Sequence, residues 1–263
     1  MDDLIETEHK SSIDLSVVIT NELVRRIQRM KLSEKRLLAL AIAKCNPKLK
    51  ILKHRATTPD PTTGIAPGWS VRITADEFME AYPQIDSKHA YSDLKAAADS
   101  LFDCYVEWDA VEVERGKKKP VRKKVRWIYE EVNPNTPGWV EIKFSPSVAP
   151  YLLGIEKAFT QYKLRHAADL RSMYSWRLLE MMAQFRDKGL LTITYDEFCQ
   201  AMDAPQSCVK DAGQLRRRVI EPAVKELREK NGLTIDWEPT KPAGRKITGF
   251  VFRFDVDPQG RLF

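Results

Sequence analysis

Apolar side chains recur at helical spacing over residues 21–44 and again over 170–188. The first run weakens near Leu32, so a break is expected there; the second reads as one helix, Leu170–Lys188. Each run precedes a short alternating stretch that leads into an acidic helix start: "RITADEF" at 72–78 and "TITYDEF" at 192–198. Aligning Ile73 with Ile193 sets the two halves in register at an offset of 120. Thr74 and Thr194 are suited to cap the helix that follows, and Asp76, Glu77, Asp196 and Glu197 complement its dipole. After each copy come a further helical pattern and a short strand ending near a tryptophan, "CYVEWD" (104–109) and "LTIDWE" (233–238). Basic loops follow, "RGKKKPVRKK" (115–124) and "PTKPAGRK" (239–246), and then strands at 125–132 and 247–256.

The order in each half is helix, strand, helix, helix, strand, basic hairpin loop, strand. Three helices closed by a hairpin make a winged helix, and two copies in register strengthen the assignment. The predicted fold class is α+β, two tandem winged-helix domains related by an internal repeat. The predicted domains are residues 15–155 and a DNA-binding 156–263, after a loose tail over 1–14. Turn residues and one further strand, "WVEIKF", are expected in 133–150; a helical bridge over 151–169; and a Pro- and Thr-rich loop over 53–70.

The third helix of the second half carries "RRRVIEPAVKEL" (216–227). Asp211 is a good N-cap, and Gln214 completes the spacing of a capping box. Leu215, Val219, Ile220, Ala223, Val224 and Leu227 fall on one face; Gln214, Arg217, Arg218, Glu221, Lys225 and Arg228 fall on the other. Arg216 is expected to lean towards the apolar side, and Pro222 to kink the helix. Basic residues near a helix start oppose the macrodipole, so they call for an anion. Phosphates supply one, and this is the helix whose first turns enter the major groove, where Arg reads guanine and Gln reads adenine. The DNA reading is therefore favoured over a solvated charged face. Candidate DNA contacts here are Lys210, Gln214, Arg216, Arg217, Arg218 and Lys225, with Lys241, Arg245 and Lys246 on the wing.

The equivalent helix of the first half, starting near Asp86 or Ser87, offers a weaker face: Lys88, His89, Ser92 and Lys95, of which Lys88 and Lys95 are candidate contacts. The segment 115–124 holds seven Lys or Arg and no acid. It reads equally as a mobile charged hairpin tip or as a phosphate or minor-groove contact through Lys117, Lys118, Lys119, Arg122, Lys123 and Lys124.

A net charge of +6 with 30% charged residues is compatible with an anionic partner without demanding one. Four widely spaced cysteines argue against a disulfide framework or a structural zinc and fit a reducing cytosol. No phosphate-binding loop, no pair of histidines at ligand spacing and no nucleophile–base constellation is present. No catalytic residue, metal or cofactor is therefore expected, and a metal-dependent nickase is disfavoured. No apolar run is long enough for a membrane span, and the polar N-terminus is unlike a signal peptide.

Several segments resemble the iteron-binding replication initiators of theta-replicating plasmids: "NELVRRIQRMKLSEKRLLALAIAK" (21–44), "FSPSVAPYLL" (144–153), "MYSWRLLEMMAQF" (173–185), "LRRRVIEPAVKEL" (215–227) and "KPAGRKITGFVFRF" (241–254). The resemblance spans nearly the whole chain, and the last two segments are its most specific part. It implies a bacterial cytoplasmic protein whose monomers bind direct repeats at an origin. It also implies dimers that bind an operator inverted repeat and repress the initiator's own gene, and recruitment of host replication machinery. The residues alone reach a tandem winged-helix DNA binder. A regulator that only represses, a DNA-nicking enzyme and a pair of protein-interaction modules stand as alternatives.

Overall fold

In the computed structural model, residues 11–45, 50–114, 116–134, 138–241, 244 and 246–255 are described. A 3-10 turn, Ser12–Asp14, leads into β1 (Ser16–Thr20), and Thr20 caps the short helix α1 (Asn21–Val24) through the Leu23 amide. The helix pattern over 21–44 breaks across residues 25–31 and resumes as α2 (Leu32–Lys44). The break has a specific cause. The guanidinium of the buried Arg177 donates to the carbonyls of Val24 and Arg26, which a continuous helix would have used itself.

Next come α3 (Lys50–Thr57), β2 (Trp69–Thr74), α4 (Ala75–Ala81) and α5 (Ala90–Phe102). The expected loop over 53–70 is thus corrected at its front, where α3 runs to Thr57. Strands β3 (Tyr105–Glu114) and β4 (Lys117–Arg126) form a two-stranded ribbon, followed by β5 (Ile128–Val132) and β6 (Trp139–Phe144). A 3-10 turn, Pro146–Val148, and α6 (Ala149–Leu152) precede β7 (Phe159–Lys163) and α7 (Arg165–Ala168). The predicted helical bridge over 151–169 is therefore mostly wrong. Its centre is a strand, because β7 finds β1 as an antiparallel partner, and that partner lies more than a hundred residues away. The rest is α8 (Met173–Ala183), β8 (Leu190–Thr194), α9 (Tyr195–Ala201), α10 (Gln206–Lys210), α11 (Ala212–Leu215), a π-helical turn (Arg216–Ile220), α12 (Glu221–Asn231), β9 (Ile235–Thr240) and β10 (Gly249–Phe254).

Two winged helices result. The first has α2, α4 and α5 against the sheet β2-β6-β5; the second has α8, α9 and α11–α12 against β8-β10-β9. Both middle helices begin with a capping box, Thr74 with Glu77 and Thr194 with Glu197. The repeat is real, but its predicted strand alignment slips. By sheet position, β5 and β6 correspond to β9 and β10, so "WVEIKF" matches "GFVFRF". The β3–β4 ribbon has no counterpart and is an insertion. An antiparallel pair with a tight basic turn has the same local pattern as a wing, and only strand pairing tells them apart. In the second unit Gly249 is needed where β10 meets β8, since a Cβ there would lie 2.5 Å from the Ile193 carbonyl oxygen.

The apolar core runs through both units without interruption. Among the charged residues buried in it are Lys35 on α2 and Arg177 and Glu180 on α8. The signal for them in the sequence is a Glu on the apolar stretch "MYSWRLLEMM".

Candidate nucleic-acid interface

In the second unit Asp211 ends α10 and caps α11, accepting from the Gly213 amide at 2.7 Å and the Gln214 amide at 3.2 Å. No return bond from the Gln214 side chain closes a full box among the described residues. The predicted apolar face holds: Leu215, Val219, Ile220, Ala223, Val224 and Leu227 are all buried. Gln214 is half-buried, while Arg217, Arg218 and Lys225 are exposed, Lys225 lying 3.8 Å from Glu229.

Pro222 acts one turn earlier than a simple kink would. Its ring collides with the carbonyl four residues back, that of Arg218, and it has no N–H to offer. The wider π turn over Arg216–Ile220 relieves both problems. The widened turn also changes the phase of the helix, which corrects the reading of Arg216. Instead of leaning on the apolar face it is exposed and paired with Glu221 at 2.7 Å. Arg217 makes no ion pair or side-chain hydrogen bond among the described residues, and Arg218 lies within electrostatic reach of Tyr174. Lys210 at the end of α10 is exposed. So are Lys241 and Lys246 on the wing between β9 and β10; Arg245 lies outside the described residues. Exposed cations thus gather in the first turns of one capped helix and, among the described residues, on one wing.

The first unit differs. Its third helix starts at Ala90 rather than at Asp86 or Ser87, because the Asp86 carboxylate caps a turn instead, accepting from the Lys88 amide at 2.9 Å. Lys88 and His89 are exposed in that turn, and the Ser92 hydroxyl donates to the His89 carbonyl at 2.7 Å. Lys95 is exposed among acids: Asp93 and Asp99 share its helix, and Glu131 approaches from β5. Partial burial, then the neighbouring Asp99, pushes the Glu131 carboxyl up to about 7. A carboxylate-bearing helix face is a poor approach to phosphates.

The basic segment 115–124 is corrected most. From Lys117 onward it is the strand β4, not a loop tip, and its partner strand is acidic. Arg122 pairs with Glu107, Lys119 with Glu114, and Lys123 with Glu112 at 3.2 Å, while Lys124 stacks 3.3 Å from the Tyr105 ring centroid. Lys117 and Lys118 are exposed with no ion pair among the described residues. At the root of the ribbon Ile27 bridges to Glu107, and Trp108 lies edge-on to Tyr151. The four cysteines are buried and free; burial pushes Cys45 and Cys199 up to about 11 and Cys104 to about 12, so their thiols are inert.

Two family models match along the chain. Residues 16–183 match the description "Initiator Replication protein, WH1", and residues 194–254 match "Initiator Rep protein, WH2". The chain belongs to the replication initiator family. Among curated relatives of this initiator, an uncharacterized protein of Escherichia coli is 33% identical over 107 residues, covering 41% of this chain and 45% of that one. The "Probable replication protein rep" of Bifidobacterium longum (strain NCC 2705) is 30% identical over 115 residues, covering 44% of this chain and 38% of that one. The chain thus matches under half the length of these relatives. Among solved structures, the Pi initiator protein in complex with iteron DNA superposes with a TM-score of 0.70 at 19% identity, covering 94% of this chain and 99% of that one. That likeness is one of fold. Among the described residues no helix is long and apolar enough to cross a membrane.

Proposed function

We propose that this initiator binds the direct repeats (iterons) of a plasmid origin as double-stranded DNA and so starts replication. The observation that carries the reading is the exposed pair Arg217 and Arg218 in the first turns of a capped third helix, beside a basic wing. Lys210, Gln214, Arg216, Lys225, Lys241, Arg245 and Lys246 are read as further contacts beside this pair, and the DNA-binding reading is supported by the similar fold of the Pi protein, which is solved in complex with iteron DNA. The first unit contributes through the phosphate backbone. Lys117 and Lys118 are exposed cations of its ribbon with no ion pair among the described residues; Lys88, Lys95, Lys119, Arg122, Lys123 and Lys124 add to the field more than to direct contact.

We place the division between the units at 155/156, after α6 and before β7. The same reading has a dimer bind an operator inverted repeat and repress the initiator's own gene, and has the bound chain recruit host replication machinery in a bacterial cytoplasm. Support for these last points is the family resemblance. The protein is read as a binder, not an enzyme. The test is titration of the purified chain against a labelled duplex bearing one origin repeat and against random DNA, at several salt concentrations. Binding at least about a thousandfold tighter to the repeat at physiological salt is expected. Equal affinity for both duplexes would contradict the reading.

A further inference from the structure

One buried carboxylate gathers groups from three parts of the chain. Glu180 on α8 lies 2.6 Å from the Lys35 ammonium of α2 and 3.2 Å from the Arg177 guanidinium. The Tyr162 hydroxyl of β7 donates to it at 2.9 Å, and the Trp176 indole donates to that hydroxyl at 2.9 Å. Arg177 donates further to the carbonyls of Val24 (2.6 Å), Arg26 (2.8 Å) and Ala201 (2.8 Å). Lys35 donates to Gln28 at 3.1 Å, and Gln28 donates to the Leu23 carbonyl at 3.0 Å. Lys35 is 4% exposed and Glu180 is fully buried.

A second set of bonds holds the segment 166–171, which leads from β7 into α8, from both sides. From the first unit, Arg36 donates to the Leu170 carbonyl at 3.1 Å and Gln84 to the Ala168 carbonyl at 2.8 Å. From the second, Glu226 accepts from the Arg171 amide and Asn231 donates to the His166 carbonyl, each at 2.7 Å. Glu226 and Asn231 lie on α12, which continues the helix that carries Arg217 and Arg218.

We propose that Lys35, Arg177 and Glu180 are positioning residues that fix the distance and rotation between the two winged helices, and thereby the half-site spacing the initiator accepts on DNA. The inference rests on the DNA-binding reading above. An apolar interface can slide with small loss. A buried charge bonded in several directions cannot, since any shift leaves a charged group desolvated and unpaired. One anion against two cations leaves no spare acceptor, and the backbone carbonyls of Val24, Arg26 and Ala201 complete the set around the Arg177 guanidinium. The seam therefore has one geometry, and two modules one helical turn apart on the duplex require one.

The experiment compares two duplexes, one with a single origin repeat and one with two base pairs inserted at its centre. The insertion rotates the outer half by about 70° and moves it about 7 Å. The wild-type chain is expected to lose about a hundredfold in affinity on insertion, because only one module then engages. The variant Lys35→Met/Arg177→Met/Glu180→Gln, neutral throughout, is expected to bind the natural repeat within about tenfold of wild type and to lose less than about threefold on insertion. If the neutral variant fails to fold, Lys35→Met alone leaves Glu180 paired with Arg177 on its own helix and is expected to show a penalty between the two. A merely structural role would lower the melting temperature and leave the insertion penalty unchanged; that result, in a folded variant, overturns the proposal. Failure of the wild-type chain to prefer the natural repeat over random DNA overturns the DNA-binding reading instead.

Discussion

Arg217 is exposed with no partner among the described residues, whereas its neighbour Arg216 is paired with Glu221. Replacing Arg217 by Ala should weaken specific binding by about 1–3 kcal/mol and relax preference at one base pair, if it reads a base. Replacing Arg216 should do less. Affinity measured on single-substitution duplexes checks both, and an unchanged Arg217→Ala profile would remove the residue from the interface. Glu131 offers a separate test, on stability. Its carboxyl is raised to about 7 by burial and by Asp99, so the protonated form is favoured in the folded chain. That contribution is complete below the ordinary carboxyl value, about 4.3, and is lost as pH rises through about 7. Glu131→Gln should therefore melt higher than the wild type above about pH 7 and alike near pH 4. Equal melting temperatures at both ends would contradict the raised Glu131 carboxyl. The exposed arginines were legible in the sequence because helical periodicity places them. The Asp99–Glu131 and Lys35–Glu180 pairs were not, since no local pattern links residues so far apart.

At the scale of elements, capped helices and alternating strands are legible in the sequence, and strand pairing is not. Thr74 and Thr194 cap where expected because a capping box is local chemistry. The strand β7 is not legible in the sequence because its partner β1 is remote, and the ribbon has the sequence pattern of a wing because both are basic hairpins. The acidic strand of that ribbon changes what its lysines can do. Lys117→Ala with Lys118→Ala should lower the salt dependence of binding by up to about two, and equally for specific and random DNA. Lys119→Ala and Lys123→Ala should change it less, their charge being largely offset by Glu114 and Glu112. Competition titrations over a range of salt read both; a larger effect from the paired lysines would be contrary to this account. Pro222 sets the other element-level test. Pro222→Ala removes the cause of the π turn, so the helix can return to α geometry and rotate Arg216–Arg218 relative to the core. Specific affinity should fall while thermal stability is kept or rises.

Taken whole, the molecule joins two winged helices of one fold with unlike third helices. One presents Arg217 and Arg218; the other presents Ser92 and Lys95 among carboxylates, with Lys88 in the turn before it. A chain with two different readers and a fixed seam has no two-fold symmetry of specificity, so a single copy should occupy an asymmetric site suited to direct repeats. The repeat at an offset of 120 makes this architecture legible in the sequence. The seam that sets the relation of the units was hidden, because it is built from side chains on separate helices and one strand. The central claim is most directly tested by footprinting the monomer on one origin repeat with every base pair substituted in turn. Protection over about two turns, roughly 20 base pairs, with base preference concentrated at the end bound by the second unit, is the predicted result. Protection of a single half-turn, or a preference symmetric about the centre, would contradict it.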